Sequence, residues 1–178
     1  GTANGGLDTS PTVTFTLTVT QVNDEPGFTA GSDVLVAEDS GAYSAAWAAG
    51  MTTGPSDESA QTWSFNVSNN NNSLFSVQPT INTAGNLTFT GALNQNGTAV
   101  VTVSMQDNGG TANGGDDTSP NVTFNIDVSA AGDPPTITES NPVSVTMSED
   151  SNPMAFSLTL NASDPDGDAL TWSILTNG

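Results

Sequence analysis

Residues 1–26 and 110–135 are two copies of one text. GTANGGLDTSPTVTFTLTVTQVNDEP returns as GTANGGDDTSPNVTFNIDVSAAGDPP after a shift of 109 residues, with 16 of 26 positions identical. Two shorter echoes keep the same order: AEDS at 37–40 returns as SEDS at 148–151, and TWSF at 62–65 as TWSI at 171–174. Collinear echoes of this kind mean a tandem array, and the spacing sets its unit at about a hundred residues, the size of one domain. The repeat predicts one whole unit at 27–132. Residues 1–26 then hold the C-terminal strand of a preceding repeat plus its linker, and 133–178 the N-terminal part of a following one. On this reading the chain is a window into a longer protein.

Within the unit the pattern is strand after strand. Val13, Phe15, Leu17 and Val19 alternate with threonines, as Val122, Phe124, Ile126 and Val128 alternate with Thr, Asn and Asp. Alternation with a period of two and β-branched residues marks half-buried strands. Further strands are predicted at 33–37, 42–48, 61–68, 74–81, 86–90 and 98–106, separated by clusters of Gly, Asn, Asp and Pro. No stretch carries a helical period. Seven short strands in about 105 residues argue an all-β, two-sheet sandwich. Its core is expected from Trp63, Phe65, Val67, Phe75, Leu87, Phe89, Val101, Val103, Phe124 and Ile126. Residues 11–22 read as a lone terminal strand, and 136–175 as the first three strands of the next unit. Their missing partners come either from the parent chain or from another copy by strand exchange.

Charge narrows the function. The chain has 19 Asp and Glu and no Lys, Arg or His, for a net charge of −19. Such a chain cannot neutralise phosphates or anionic lipid, which excludes nucleic acid and acidic membrane surfaces as partners. No basic side chain is available to form a salt bridge with its carboxylates, so bound cations are the natural counter-charge. There is no cysteine, and no apolar run long enough to span a membrane. Without His, Cys or Lys the chain also lacks the usual bases and covalent nucleophiles, and catalysis is not expected.

Two acidic groups carry the cation argument. The strand ends Val22-Asn23-Asp24-Glu25-Pro26 and Asp133-Pro134-Pro135 place carboxylates beside proline-stiffened linkers. In Asp164-Pro165-Asp166-Gly167-Asp168, three carboxylates stand two residues apart in one turn. Their mutual repulsion is relieved by a hard cation, which takes six to eight oxygens. The turn is not an EF-hand loop, because Ala169 and Leu175 stand where that loop needs Gly and Glu.

The order of these pieces resembles the cadherin repeat: LF at 74–75, LTFT at 87–90, LNQNG at 93–97, VTVSMQDNGG at 101–110, then a strand and an Asp-Pro linker. It is most similar to the bacterial cadherin-like, immunoglobulin-like tandem repeats of giant secreted and surface adhesins. The resemblance implies seven-stranded Greek-key β-sandwiches in tandem, with Ca2+ held between successive units. One implied site lies between the central and following units, from Glu38, Asp133, Asp164 and Asp166, with Glu149 as the counterpart of Glu38. A second lies before the central unit, from Asn23, Asp24, Asp57 and Asp107. The segment Asn94-Gln95-Asn96 has amides where the family carries two acids, and Ala131-Gly132-Asp133 has lost the linker Asn. Fewer charged ligands imply the affinity of extracellular modules, about 10⁻⁴ to 10⁻³ M.

The function implied is that of a non-catalytic structural or adhesive segment of an extracellular fibre or adhesin on a bacterial surface, with calcium stiffening each hinge. Its partners would be neighbouring repeats, and other copies of the chain if strands are exchanged. The alternative is a carbohydrate-binding module for extracellular glycans, with Trp47 or Tyr43 as the stacking face.

Overall fold

The computed structural model describes residues 1–139 and 159–174. Nine strands lie at β1 Gly27–Thr29, β2 Val34–Ala37, β3 Ala42–Ala46, β4 Ala49–Thr52, β5 Trp63–Asn69, β6 Phe75–Ile81, β7 Asn86–Gly91, β8 Gly97–Asp107 and β9 Val122–Ser129. The pairs β10 Thr136–Ile137 and β11 Ala162–Ser163 stand apart. The protein is all-β. Among the described residues its only helical pieces are 3₁₀ turns of three residues.

Period-two alternation has the consequence expected of it. β5 to β9 each turn one set of side chains inward, and β8 buries Ala99, Val101, Val103 and Met105 completely. One sheet has the order β2-β9-β8-β5 and the other β3-β7-β6, with β1 and β4 paired separately. Both sheets contribute to one core, in which Val101, Val103 and Ile126 from the first meet Leu87, Phe89 and Phe75 from the second. Each large side chain so buried stabilises the fold by roughly 1.5–3 kcal/mol. Seven of the ten residues expected in the core are buried, and Phe65 and Val67 pack against it half-exposed. Trp63 is half-exposed at the mouth of β5, so it edges the core.

Trp47 completes the core. It is 7 % exposed, its ring centroid lies 4.3 Å from that of Phe124, and its Nε1 donates to the Ser32 carbonyl at 3.0 Å. It therefore offers no stacking face to a glycan. The strand expected over 42–48 breaks at this residue, because the Trp47 and Ala48 N–H groups both turn to the Gly85 carbonyl. Tyr43 stacks on Phe89 with centroids 4.8 Å apart.

Two pairings decide what reaches each pole. β2 runs parallel to β9, matching Val34 with Ile126 and Ala37 with Ser129. The end of β2 and the end of β9 therefore share one pole, and antiparallel β8 adds its start there through Gly97 opposite Val128. β5 runs antiparallel to β8 with Trp63 opposite Asp107, which sets the start of β5 and the end of β8 at the other pole.

The flanks differ from the sequence expectation. Residues 11–22 form no strand. A strand exists through its ladder of inter-strand hydrogen bonds, and no neighbour among the described residues supplies that ladder. Of the three strands expected over 136–175, the described residues contain the short antiparallel pair β10 and β11. Glu149 and the echo at 148–151 lie outside the described residues.

Candidate metal centres

The first pole gathers around the linker that enters the unit. Pro26 is fully buried and fixes where the linker meets the sandwich. Just before it, the Asn23 side chain donates to Asp107 Oδ1 at 3.1 Å and to the Asp116 carbonyl at 2.7 Å, and accepts from Gln61 Nε2 at 2.7 Å. The Asp24 N–H donates to Glu58 Oε1 at 2.9 Å. Two glycines make room for this contact. A Cβ at Gly109 would fall on Asn23 Oδ1, and one at Gly115 would stand 3.0 Å from the Asn23 backbone.

This pole holds an electrostatic imbalance. Glu58 is 2 % exposed and Asp107 7 % exposed, yet Glu58 Oε2, Asp107 Oδ2 and Gln61 Oε1 have no hydrogen-bond donor. Ionised carboxylates are acceptors only, and leaving one buried without a donor or counter-charge costs several kcal/mol. Gln21, Asn23, Glu58, Gln61 and Gly109 line a cavity of about 180 Å³ at the same place. The donor set is oxygen alone, which suits a hard cation.

The 3₁₀ turn Ser56–Glu58 decides which of two adjacent acids faces in. It points Glu58 to the interior and leaves Asp57 exposed, where Gln21 Nε2 reaches its Oδ2 at 3.3 Å. Of the residues expected here, Asn23 and Asp107 are brought together. Asp24 contributes its backbone N–H from an exposed position, and Asp57 remains at the rim. Glu58 and Gln61 were missed. The available signal was their place in the turn before β5, but adjacency in sequence does not say which side chain turns in.

The second pole gathers where β9 leaves the unit. The Glu38 N–H continues the parallel ladder to the Ser129 carbonyl at 2.9 Å, which sets its side chain beside the outgoing linker. Glu38 is 3 % exposed; its Oε1 accepts from the Ala131 N–H at 2.6 Å and its Oε2 from Asn96 Nδ2 at 3.5 Å. The Asp133 N–H donates to Asp166 Oδ2 at 2.6 Å. Carboxylate oxygens of Glu38, Asp133 and Asp166 lie within 4.8 Å of one another, and so do those of Asp164, Asp166 and Asp168.

Asp166 belongs to both groups. The turn that positions it is local: Asp164 Oδ1 accepts the N–H groups of Asp166 at 2.9 Å and Asp168 at 3.3 Å. Asp164 thus shares a group with Asp166 and supports the turn, while the contact with Glu38 and Asp133 is made by Asp166. Asp133 Oδ2 is buried without a donor. Loss of hydration, followed by the nearby carboxylates of Asp39, Asp166, Glu38 and Asp164, pushes Asp133 above its ordinary 3.8. A cation at this place would reverse that pressure. Asn96 explains part of the amide segment, since it supplies the donor that one oxygen of Glu38 needs.

Fold and poles together define an all-β protein with an oxygen-lined acidic cluster at each end of its sandwich-like core. No protein-family model, no curated protein and no solved structure matches the chain. Among the described residues, no helix is long and apolar enough to cross a membrane.

Proposed function

We propose that the chain is a non-catalytic structural and adhesive segment of an extracellular tandem array, built from cadherin-like Greek-key sandwiches of seven strands, with calcium stiffening the joint at each pole. The array is the stalk of a secreted bacterial adhesin or fibre, and its partners are the neighbouring repeats.

One observation carries the reading. In a chain without a single basic side chain, the buried acceptors Glu58 Oε2, Asp107 Oδ2 and Asp133 Oδ2 lack donors, and they lie against the two linkers. At the first pole Glu58, Asp107, Gln61 and the Asn23–Asp24 linker would hold the ion. At the second Glu38, Asp133 and Asp166 would do so, with Asp164 and Asp168 beside them. A bound calcium ion supplies the positive charge the sequence lacks. The protein's own part is to tie linker to sandwich: the N–H groups of Asp24, Ala131 and Asp133 already donate to the same carboxylates. A cation that binds only this docked geometry stabilises it by RT ln(1 + [L]/Kd).

Calcium titration of the full chain by calorimetry, with melting and small-angle scattering in chelator and in calcium, tests the proposal. Binding near 10⁻⁴ to 10⁻³ M with a raised Tm and a stiffer particle is expected. No heat, no shift in melting and an unchanged scattering profile would overturn it. Magnesium is the control, because it demands a tighter octahedral shell and keeps its waters.

A further inference from the structure

We propose that residues 13–20 are the closing strand of a second sandwich of this type, seated between that unit's equivalents of β8 and β2. The inference rests on the array reading for the nature of the partner and is independent of calcium.

Val13, Phe15, Leu17 and Val19 are 80–90 % exposed, so this alternating apolar set is left uncovered by the described residues. What fits that face is written in the other copy of the same text. Shifted by 109 residues, these positions are Val122, Phe124, Ile126 and Val128 of β9, the last three of which are buried in the core. Phe and Val recur unchanged and Leu replaces Ile, which conserves volume. β9 lies antiparallel to β8 and parallel to β2. The same slot in a partner unit would set Val13 opposite the counterpart of Val103 and Leu17 opposite the counterpart of Val34.

Two further features show that the segment is prepared for the slot. The loop Gly110–Gly115 leads into β9 through a 3₁₀ turn, with Asn113 at φ 57°, Gly114 at φ 87° and Gly115 N–H donating to the Ala112 carbonyl at 3.1 Å. Gly1–Gly6 adopts the same turn with no partner present: Asn4 is at φ 58°, Gly5 at φ 79°, and Gly6 N–H donates to the Ala3 carbonyl at 3.3 Å. The second feature is the Thr-Ser-Pro motif. Ser119 is buried, its Oγ accepts the Met105 N–H at 2.9 Å, and its own N–H donates to the Met105 carbonyl at 2.8 Å. It thereby fastens the entrance of the strand. Ser10 repeats Ser119 within Thr9-Ser10-Pro11 and has no such β8 to fasten to.

The test supplies the slot. Joining a copy of residues 27–109 to Gly1 of the full chain restores the Gly-Gly-Thr loop sequence and provides one β2 and one β8 without a β9. In the unextended chain the amides of 13–20 should exchange at unprotected rates. In the extended chain they should slow on the order of 1000-fold, matching 122–129 of the same molecule, in chelator and calcium alike. Phe15→Asp in the extended chain should abolish this protection and leave that of 122–129 intact. Exposed 13–20 beside a protected 122–129 in the extended chain would overturn the proposal. So would protection of 13–20 in the unextended chain, whether monomeric or of doubled mass, because the strand would then rest on some surface other than the open slot. Loss of the calcium response with protection retained would refute the calcium reading alone.

Discussion

Glu58→Gln separates a cation ligand from an ordinary buried acid. In the protein Glu58 Oε1 accepts the Asp24 N–H at 2.9 Å, while Oε2 is buried without a donor. The amide keeps the acceptor that Asp24 needs and removes the charge. It also puts an NH₂ in a cluster where Gln61 Oε1 and Asp107 Oδ2 lack donors. A buried polar atom left unsatisfied costs about 1–3 kcal/mol, and more when charged. In chelator the variant should therefore be more stable than the parent by about 1–3 kcal/mol, roughly 4–8 °C in Tm per kcal/mol for a domain of this size. Calcium works against that order. At 10 to 100 times Kd the parent gains about 1.4 to 2.7 kcal/mol per site. The variant forgoes the gain at this pole, so the gap narrows or changes sign. Melting both proteins across a calcium series, followed by tryptophan fluorescence, reads the crossing directly. A variant destabilised equally with and without calcium would refute the reasoning, since Glu58 would then act through packing and hydrogen bonds alone. Parallel calcium responses would refute it too.

Asp166→Asn removes one charge from the second pole while its amide oxygen can still accept the Asp133 N–H; calcium affinity there should fall on the order of tenfold by calorimetry. Gly109→Ala should place its Cβ on Asn23 Oδ1 and break the bonds to Gln61 and Asp107, each worth about 1 kcal/mol. Amide exchange should then rise over 21–26 and not over β8. Phe124→Ala should cost about 3–5 kcal/mol and change the emission of Trp47, which packs against it, measurable by denaturant unfolding. Burial pushes Glu139 up, but the Asn161 backbone and side-chain N–H groups outweigh it and hold the carboxyl below its ordinary 4.5. Its contribution to the β10–β11 contact is therefore present above pH 4.5 and lost as pH falls below that value through its folded pKa. Amide exchange of Thr138, whose N–H donates to the Asn161 carbonyl, should quicken across that window, and Asn161→Ala, which removes the side-chain donor and keeps the backbone one, should weaken the pH dependence without removing it.

The sequence by itself determined β2, β3 and β5 to β9, most of the core and the approximate places of both acidic poles; it did not foresee the β1–β4 pair, and it assigned to 11–22 a strand that does not form. The features it did determine are one-dimensional properties. A period of two fixes which face of a strand is apolar, and turn residues fix where it stops, so β5 to β9 fall within about a residue or two of the predicted spans. The proline-bounded acids at 23–26 and 133–135 marked the linkers in the same way.

Partnership in three dimensions was decided by the tertiary structure alone. Parallel pairing of β2 with β9 carries Glu38 to the outgoing linker, a consequence of a register that no local pattern encodes. The 3₁₀ turn chooses Glu58 over Asp57, because neighbouring side chains of equal charge are told apart only by the surface behind them. Alanine neighbours leave Trp47 open to two readings, a stacking ring or a plug of the sandwich, and Phe124, distant in sequence, decides for the core by packing against it. The clearest case is the repeat itself. The text at 9–20 and at 118–129 is nearly the same, but only the second copy is a strand. Apolar alternation makes a segment able to be a strand, and a neighbour's N–H and C=O groups make it one.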